Sequence, residues 1–191
     1  MIYDNEVFEG LDYEGKLIED IEADDCIFKN CKFTECDFTR CFISNCKFEG
    51  CTIINPKNAF SQVRFSEFKE CTFVGIQWAE FTGSNKYQMV ARGFQECYMK
   101  YNDFANLDLR GVDFSRSQII NSGFRSCNLE SSDFKDSNLS ETQFTKCNLK
   151  KADFRNSMEY QIDIFSCEMR NGKFSFPDAI ILLDALGIKI D

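Results

Sequence analysis

Cut every five residues from Cys26, the chain reads CIFKN CKFTE CDFTR CFISN CKFEG CTI. Cys26, Cys31, Cys36, Cys41, Cys46 and Cys51 fill the first column. Phe28, Phe33, Phe38, Ile43, Phe48 and Ile53 fill the third, with mostly polar residues between. A period of five belongs neither to a helix, which repeats at 3.6, nor to a long strand, which repeats at two. Each pentad is therefore a short extended piece followed by a corner. Pleating points its first and third residues to one side and its second and fourth to the other. A chain that turns a corner at a fixed interval and stacks on itself is a solenoid.

The phase extends back through Ala23, Ile18, Tyr13 and Phe8, which read as an N-terminal cap. After Ile53 it meets Pro56 in the small-residue column and Asn58 in the buried column, and neither suits a strand interior. The pattern returns unshifted at Val63, Phe68, Phe73 and Trp78, which predicts a loop of equal length replacing one side of one coil. Over 79–92 the pattern fails, and at Phe94 it resumes displaced by one residue. That displacement predicts an excursion that leaves the rod and comes back. From Phe94 to Phe154 the buried column is unbroken. It weakens at Glu159 and is expected again at Ile164, Met169 and Phe174. Phe94, Phe114, Phe134, Phe154 and Phe174 recur at twenty, as do Leu109, Leu129 and Leu149, so the coil has four sides. The organisation is a rod over 1–176, in segments 1–78 and 93–176 separated by the excursion, and a tail over 177–191.

The tail, FPDAIILLDALGIKID, drops the five-residue pattern. Pro177 suits a helix start and Gly187 a helix end. Ile180, Ile181, Leu183, Leu186 and Ile188 leave this short element apolar on more than one face, more than one rod can cover. A symmetric homodimer through these five residues is the simplest burial.

Composition narrows the chemistry. The 191 residues include no His, which removes the commonest general base and the commonest metal ligand, so no enzyme and no cofactor is expected. There is no basic, apolar N-terminal leader and no run long enough to span a membrane, so the expected location is the cytoplasm. The eleven cysteines are odd in number and follow the repeat, and they read as reduced, compact core residues, not as a disulfide or metal framework. Residues 1–25 carry ten acidic side chains against Lys16 alone, which equals the net charge of the whole chain, −9. A rod of about eight coils at about 4.8 Å is about 40 Å long, along which duplex DNA presents about 24 phosphates. Any likeness to DNA therefore rests on local patches and shape, and the acidic end reads equally as a solvated cap.

Phe42, Phe65, Tyr98 and Tyr101 fall at outward positions, and the excursion adds Phe81, Tyr87 and Met89. With Asn58, the last three are the candidate partner contacts, since exposed aromatics near a loop make good anchors. An excursion folded back over Phe42 and Phe65 to bury them is the other reading.

Pieces such as RGVDFSRSQ, SSDFKDSNLS and KADFRNS resemble the pentapeptide-repeat family, whose fold is an all-β, right-handed quadrilateral parallel β-helix. The stretch 160–165, YQIDIF, and the tail with Leu182, Leu183, Ala185, Leu186 and Gly187 are similar to the topoisomerase-protecting members, the Qnr-type proteins and the albicidin- and microcin-immunity proteins. That resemblance implies a C-terminal helix that forms a homodimer. It also implies a DNA-mimicking rod that binds DNA gyrase or topoisomerase IV and contacts no nucleic acid itself, protecting the enzyme from quinolone or peptide-type poisons. The alternative is a structural or interaction repeat protein with a different protein partner.

Overall fold

The computed structural model describes residues 1–83 and 89–188. They form a four-sided parallel β-solenoid of about eight turns, with one short helical turn at the C-terminal end. Three-residue strands lie on each side and pair with the strand one turn away. On the first face Ile2–Asp4, Glu22–Asp24, Phe42–Ser44 and Gln62–Arg64 follow one another. The second runs from Val7–Glu9 through Ile27–Lys29, Lys47–Glu49 and Ser66–Lys69 to Ala91–Gln95. The third face is the longest and begins at Asp12–Glu14, whereas the fourth holds Leu17–Glu19, Asp37–Thr39 and Lys57–Ala59.

Ordinary residues make the corners. Asn30, Glu35 and Arg40 sit at φ near +50°, a left-handed conformation that costs an L-residue roughly 1–2 kcal/mol. Their amides are not left idle: Asn30 N–H donates to the Glu49 carbonyl at 2.9 Å, Glu35 to Ile54 at 2.8 Å and Arg40 to Ala59 at 2.8 Å. Each corner thus carries a ladder hydrogen bond to the next turn, which offsets the backbone cost.

Three details depart from the five-residue reading. The predicted loop at 55–60 is a regular strand, Lys57–Ala59, paired with Asp37–Thr39. Asn58 is tolerated in the inward column because its amide finds backbone partners, described below. The excursion adds six residues to one turn: Phe48 pairs with Phe68 twenty residues on, but Phe68 pairs with Phe94. Finally, Ile164 does not resume the inward column. Thr142 pairs with Tyr160 and Phe144 with Ile162, so two residues are dropped at the Glu159 corner, and the regular spacing is back at Asn148 and Glu168. A turn at Asp163, whose carbonyl accepts the amides of Ser166 and Cys167, takes up the difference.

The core is a column of stacked rings. On the second face Phe8, Phe28, Phe48, Phe68, Phe94, Phe114, Phe134, Phe154 and Phe174 stack in one continuous file with centroids 4.7–5.3 Å apart. A second file on the fourth face starts only at Trp78 and continues through Phe104, Phe124 and Phe144. Where both exist they meet edge to face, as Phe114 and Phe124 do at 87°, the arrangement that aromatic quadrupoles favour.

Candidate functional site

The excursion begins where the first face loses a strand. After Trp78 the chain enters a 3-10 helix, Trp78–Thr82, instead of continuing the ladder beyond Gln62–Arg64. Trp78 itself stays in the rod, stacked on Phe104, and its indole N–H donates to Asn102 Oδ1 at 3.1 Å. Asn102 occupies the small-residue column, held mostly by Cys and Ser. Its Nδ2 donates to the carbonyls of Phe73 and Lys100 at 3.0 and 3.1 Å, so a larger amide there serves both the ladder and the indole. Sequence reasoning passed over it, although an amide in a small-residue column is a readable signal.

Asn58 anchors the helix. Its Nδ2 donates to the Glu80 carbonyl at 2.6 Å and to the Ser61 carbonyl at 3.2 Å, and its Oδ1 accepts from Ser61 N–H at 2.9 Å. Gly83, at φ +67°, ends the helix against Gln62, whose amide a Cβ would meet at 2.5 Å. Of the candidate contact residues, Phe81 is buried in the core, Met89 is half-buried, Asn58 is spent on backbone, and Tyr87 lies outside the described residues. Phe42 and Phe65 stay exposed, contrary to the reading that the excursion buries them, and Phe60 is 83% exposed at the adjoining corner. Arg92 reaches across Phe65, its guanidinium 5.8 Å from the ring centroid, and donates to Asn45. The structure therefore collects exposed aromatics around the first face, while turning Phe81 inward.

The C-terminal end presents a second surface. The 3-10 turn Asp178–Ile180 and the helical turn Ile181–Asp184 follow Pro177, and Gly187 at φ +70° breaks the element. Leu182 packs on the core and Ile180 is half-buried, whereas Ile181, Leu183, Leu186 and Ile188 are exposed. Phe165 and Phe176 add rings 79% and 83% exposed. Between this element and the last turn runs a groove of about 330 Å³ bordered by Thr145, Tyr160, Ile162 and Leu182. The Tyr160 hydroxyl is buried with no hydrogen-bond partner among the described residues, and burial pushes its pKa up to about 12.

The cysteines are all unbonded, and ten of the eleven are buried. Their thiols donate to the carbonyl of an inward residue one turn back, as Cys41 does to Ile18 and Cys51 to Phe28, both at 3.3 Å. Burial pushes Cys46 up to about 12, so it stays protonated at neutral pH and is a poor nucleophile and a poor ligand. Among the described residues, Asp4, Asp24 and Asp25 bring three carboxylates within 4.8 Å of one another. Asp24 and Asp25 are on the rod's second turn, and Asp24 Oδ1 already accepts from Ser44 and Asn45.

The repeat profile of the pentapeptide family matches residues 23–53 and 122–157, in eight copies. These two stretches are pentapeptide repeats. No curated protein matches the chain. Among solved pentapeptide rods, a trypsin-treated variant of QnrB1, a plasmid-mediated fluoroquinolone resistance protein, aligns over 97% of this chain and 100% of its own, at 18% identity and a TM-score of 0.53. A second trypsin-treated QnrB1 variant aligns over 96% and 99% at 18% identity, with a TM-score of 0.44. HetL, from the cyanobacterium Nostoc and involved in heterocyst differentiation regulation, covers 92% and 91% at 9% identity, with a TM-score of 0.29. At these identities the likeness is one of fold.

Proposed function

We propose that this rod is a non-enzymatic, cytoplasmic homodimer that binds a bacterial type II topoisomerase, chiefly DNA gyrase, in place of a DNA segment and shields it from quinolone or peptide-type poisons. The observation that carries the reading is the end-to-end alignment with a rod described as a fluoroquinolone resistance protein. The tail supports it: Ile181, Leu183, Leu186, Ile188, Phe165 and Phe176 leave apolar area exposed at one end of the rod, where a second copy would cover it. DNA-like character then has to come from local charge, concentrated in residues 1–25.

The deciding experiment is DNA supercoiling by purified gyrase with increasing amounts of this protein, with and without a fluoroquinolone. Rescue of drug-inhibited supercoiling is expected, and binding to gyrase should weaken as salt rises, since exposed charges are screened. Absence of both rescue and inhibition at a large excess over the enzyme would defeat the proposal. For the dimer, Leu183→Glu with Leu186→Glu should give monomers in sedimentation. A variant that stays dimeric places the interface elsewhere.

A second reading is favoured by Phe42, Phe60 and Phe65, which crowd exposed aromatic surface around the first face beside the excursion. It makes the protein an interaction module for a protein other than a topoisomerase. Phe60→Ser with Phe65→Ser would then abolish partner binding but leave any effect on gyrase untouched.

A further inference from the structure

The N-terminal half of the rod is hollow. In the C-terminal half every inward side chain from Phe94 to Phe144 is closed off from solvent, but Tyr3, Phe8, Tyr13, Ile18, Phe38, Ile43, Ile53 and Val63 point inward and are only partly buried. They border one partly open apolar cavity of about 260 Å³ that extends from the Tyr3 turn to Trp78 and Phe81. Side-chain volume differs on two of the four faces. Where the regular half sets Phe104, Phe124 and Phe144 on the fourth face and Leu109, Leu129 and Leu149 on the first, this half sets Ile18, Phe38 and Asn58, and Ala23, Ile43 and Val63. On the third face the order is reversed, with Tyr13, Phe33 and Phe73 against Met99 and Ile119. The backbone ladder holds the four walls at the same spacing whatever stands inside them, so smaller residues leave a lumen and not a collapsed core.

The lumen is long, narrow and almost wholly hydrocarbon. From the Tyr3 turn to the Trp78 turn it runs about 14 Å, three steps of the ladder. An extended alkyl chain advances roughly 1.3 Å per carbon for bonds near 1.5 Å, so about ten to twelve carbons fit. Apolar cavities smaller than this one stay dry and take up apolar guests. The first turn adds a charge preference. The residues immediately after its four inward side chains are Asp4, Glu9, Glu14 and Glu19, one exposed carboxylate on each face. The nearby cations are the Met1 ammonium, which donates to the Asp20 carbonyl, Lys16, held over the Tyr13 ring, and Arg40, bound to Asp20 and Glu19, so the four carboxylates still outnumber the three cations.

We propose that this half of the rod is a binding site for a single unbranched aliphatic chain with a positively charged head, the chain along the lumen and the head at the carboxylate ring. The lumen is separate from the dimer surface, while its carboxylate ring lies within residues 1–25, whose charge the proposed gyrase binding also uses.

Trp78, the only tryptophan in the chain, forms the floor of the cavity and supplies the readout. The full-length protein would be titrated with n-dodecylammonium below its micelle concentration, following Trp78 emission and far-UV circular dichroism together. Saturable binding of one molecule per chain, with the dichroism unchanged, is expected. Sodium dodecanoate, of equal chain length, should bind at least tenfold more weakly. Ile18→Phe with Val63→Leu restores the residue sizes of the filled half and should weaken dodecylammonium at least tenfold without lowering the thermal midpoint. Glu9→Lys with Glu14→Lys, which leaves the core untouched, should reverse the preference between the two heads. Absence of saturable binding, loss of dichroism on titration, or binding unaffected by the two filling substitutions would overturn the site. Equal affinity for both heads would overturn the assignment of charge.

Discussion

The two halves of the rod share one backbone and differ in what stands inside it. From Phe94 to Phe154 two files of rings interlock edge to face and the lumen is full; before Trp78 only the second-face file is present, and the space opposite it is open. The small-residue column differs in parallel. In the filled half Ser117, Ser132, Ser137 and Thr142 donate to the carbonyl of Phe94, Leu109, Phe114 and Ile119 at 2.6–2.8 Å. In the hollow half Cys31, Cys36, Cys46 and Cys51 make the equivalent bond at 3.3–3.5 Å. A four-sided ladder therefore fixes geometry without fixing density. At about 24 cal/mol per Å³, an empty cavity of 260 Å³ forgoes on the order of 6 kcal/mol, which the regular half does not.

The strongest way to separate the halves is to remove a ring from each. Phe124 is fully buried between Phe104 and Phe144, and Phe124→Ala should cost about 3–5 kcal/mol. Phe38 already faces the lumen and pairs edge to face with Phe33. Phe38→Ala should cost less than half as much, because part of its surface gains nothing from burial. Urea unfolding of both variants gives the comparison, and equal losses would mean that the lumen is closed in solution.

Adding volume should have opposite signs in the two places. Leu129→Phe has no room and should destabilise by about 1–3 kcal/mol through overpacking. Ile43→Phe enlarges a residue that borders the cavity, and should be neutral or stabilising by up to about 1 kcal/mol. Thermal midpoints of the two variants would show it.

That asymmetry explains which features were legible beforehand. Apolar letters at a period of five specify an inward column, and a recurrence at twenty specifies four sides. Both follow from register, which one residue's slip would invert. Volume is not written in that pattern: Val63 and Leu109 are both simply apolar, yet one borders a lumen and the other closes it. Asn58 read as a break because its polarity was visible, while the Glu80 carbonyl that satisfies it comes from 22 residues away. Tyr160 was missed because the two-residue contraction at Glu159 depends on the turn at Asp163. Phe81 read as an exposed anchor, and only the geometry of the 3-10 helix turns it inward. Of the five apolar tail residues singled out by composition, Ile181, Leu183, Leu186 and Ile188 are exposed and Ile180 is half-buried.

Acid should act next, and chiefly on the filled half, because the hollow half's Asp20, also held low by Arg40, is exposed. In the filled half Asp153 is held below the usual carboxylate value by the Arg155 side chain, which donates to both oxygens at 2.9 and 2.7 Å, with help from the Arg155 amide. Burial of Asp113 works the other way, but the Gln95 amide and Ser115 N–H outweigh it and its pKa is also lowered. A carboxylate whose folded pKa is depressed contributes stability that is fully present above its unfolded value and is lost as pH falls through the folded one. The urea midpoint should thus be level above about pH 5 and fall below the ordinary value near 3.8. Asp153→Asn should flatten that slope while leaving the neutral-pH effect of Phe38→Ala unchanged.

The smallest effect expected is also the most specific to the cysteine ladder. Cys51 is buried, its thiol donates to the Phe28 carbonyl at 3.3 Å, and its Sγ accepts the Cys31 amide at 3.4 Å. Ser137 does the same with oxygen in the filled half, donating to Phe114 at 2.8 Å and accepting from the Ser117 amide at 3.3 Å. Oxygen is the stronger donor and acceptor but the smaller atom, so Cys51→Ser gains part of a hydrogen bond, about 0.5–1.5 kcal/mol, and gives up thiol packing of similar size. The net change should lie within about 1 kcal/mol in urea unfolding, and the native variant should resist thiol alkylation as the parent does. A loss of several kcal/mol would assign the sulfurs a packing role that serine cannot fill, and the hollow half would then be held together chiefly by its cysteines.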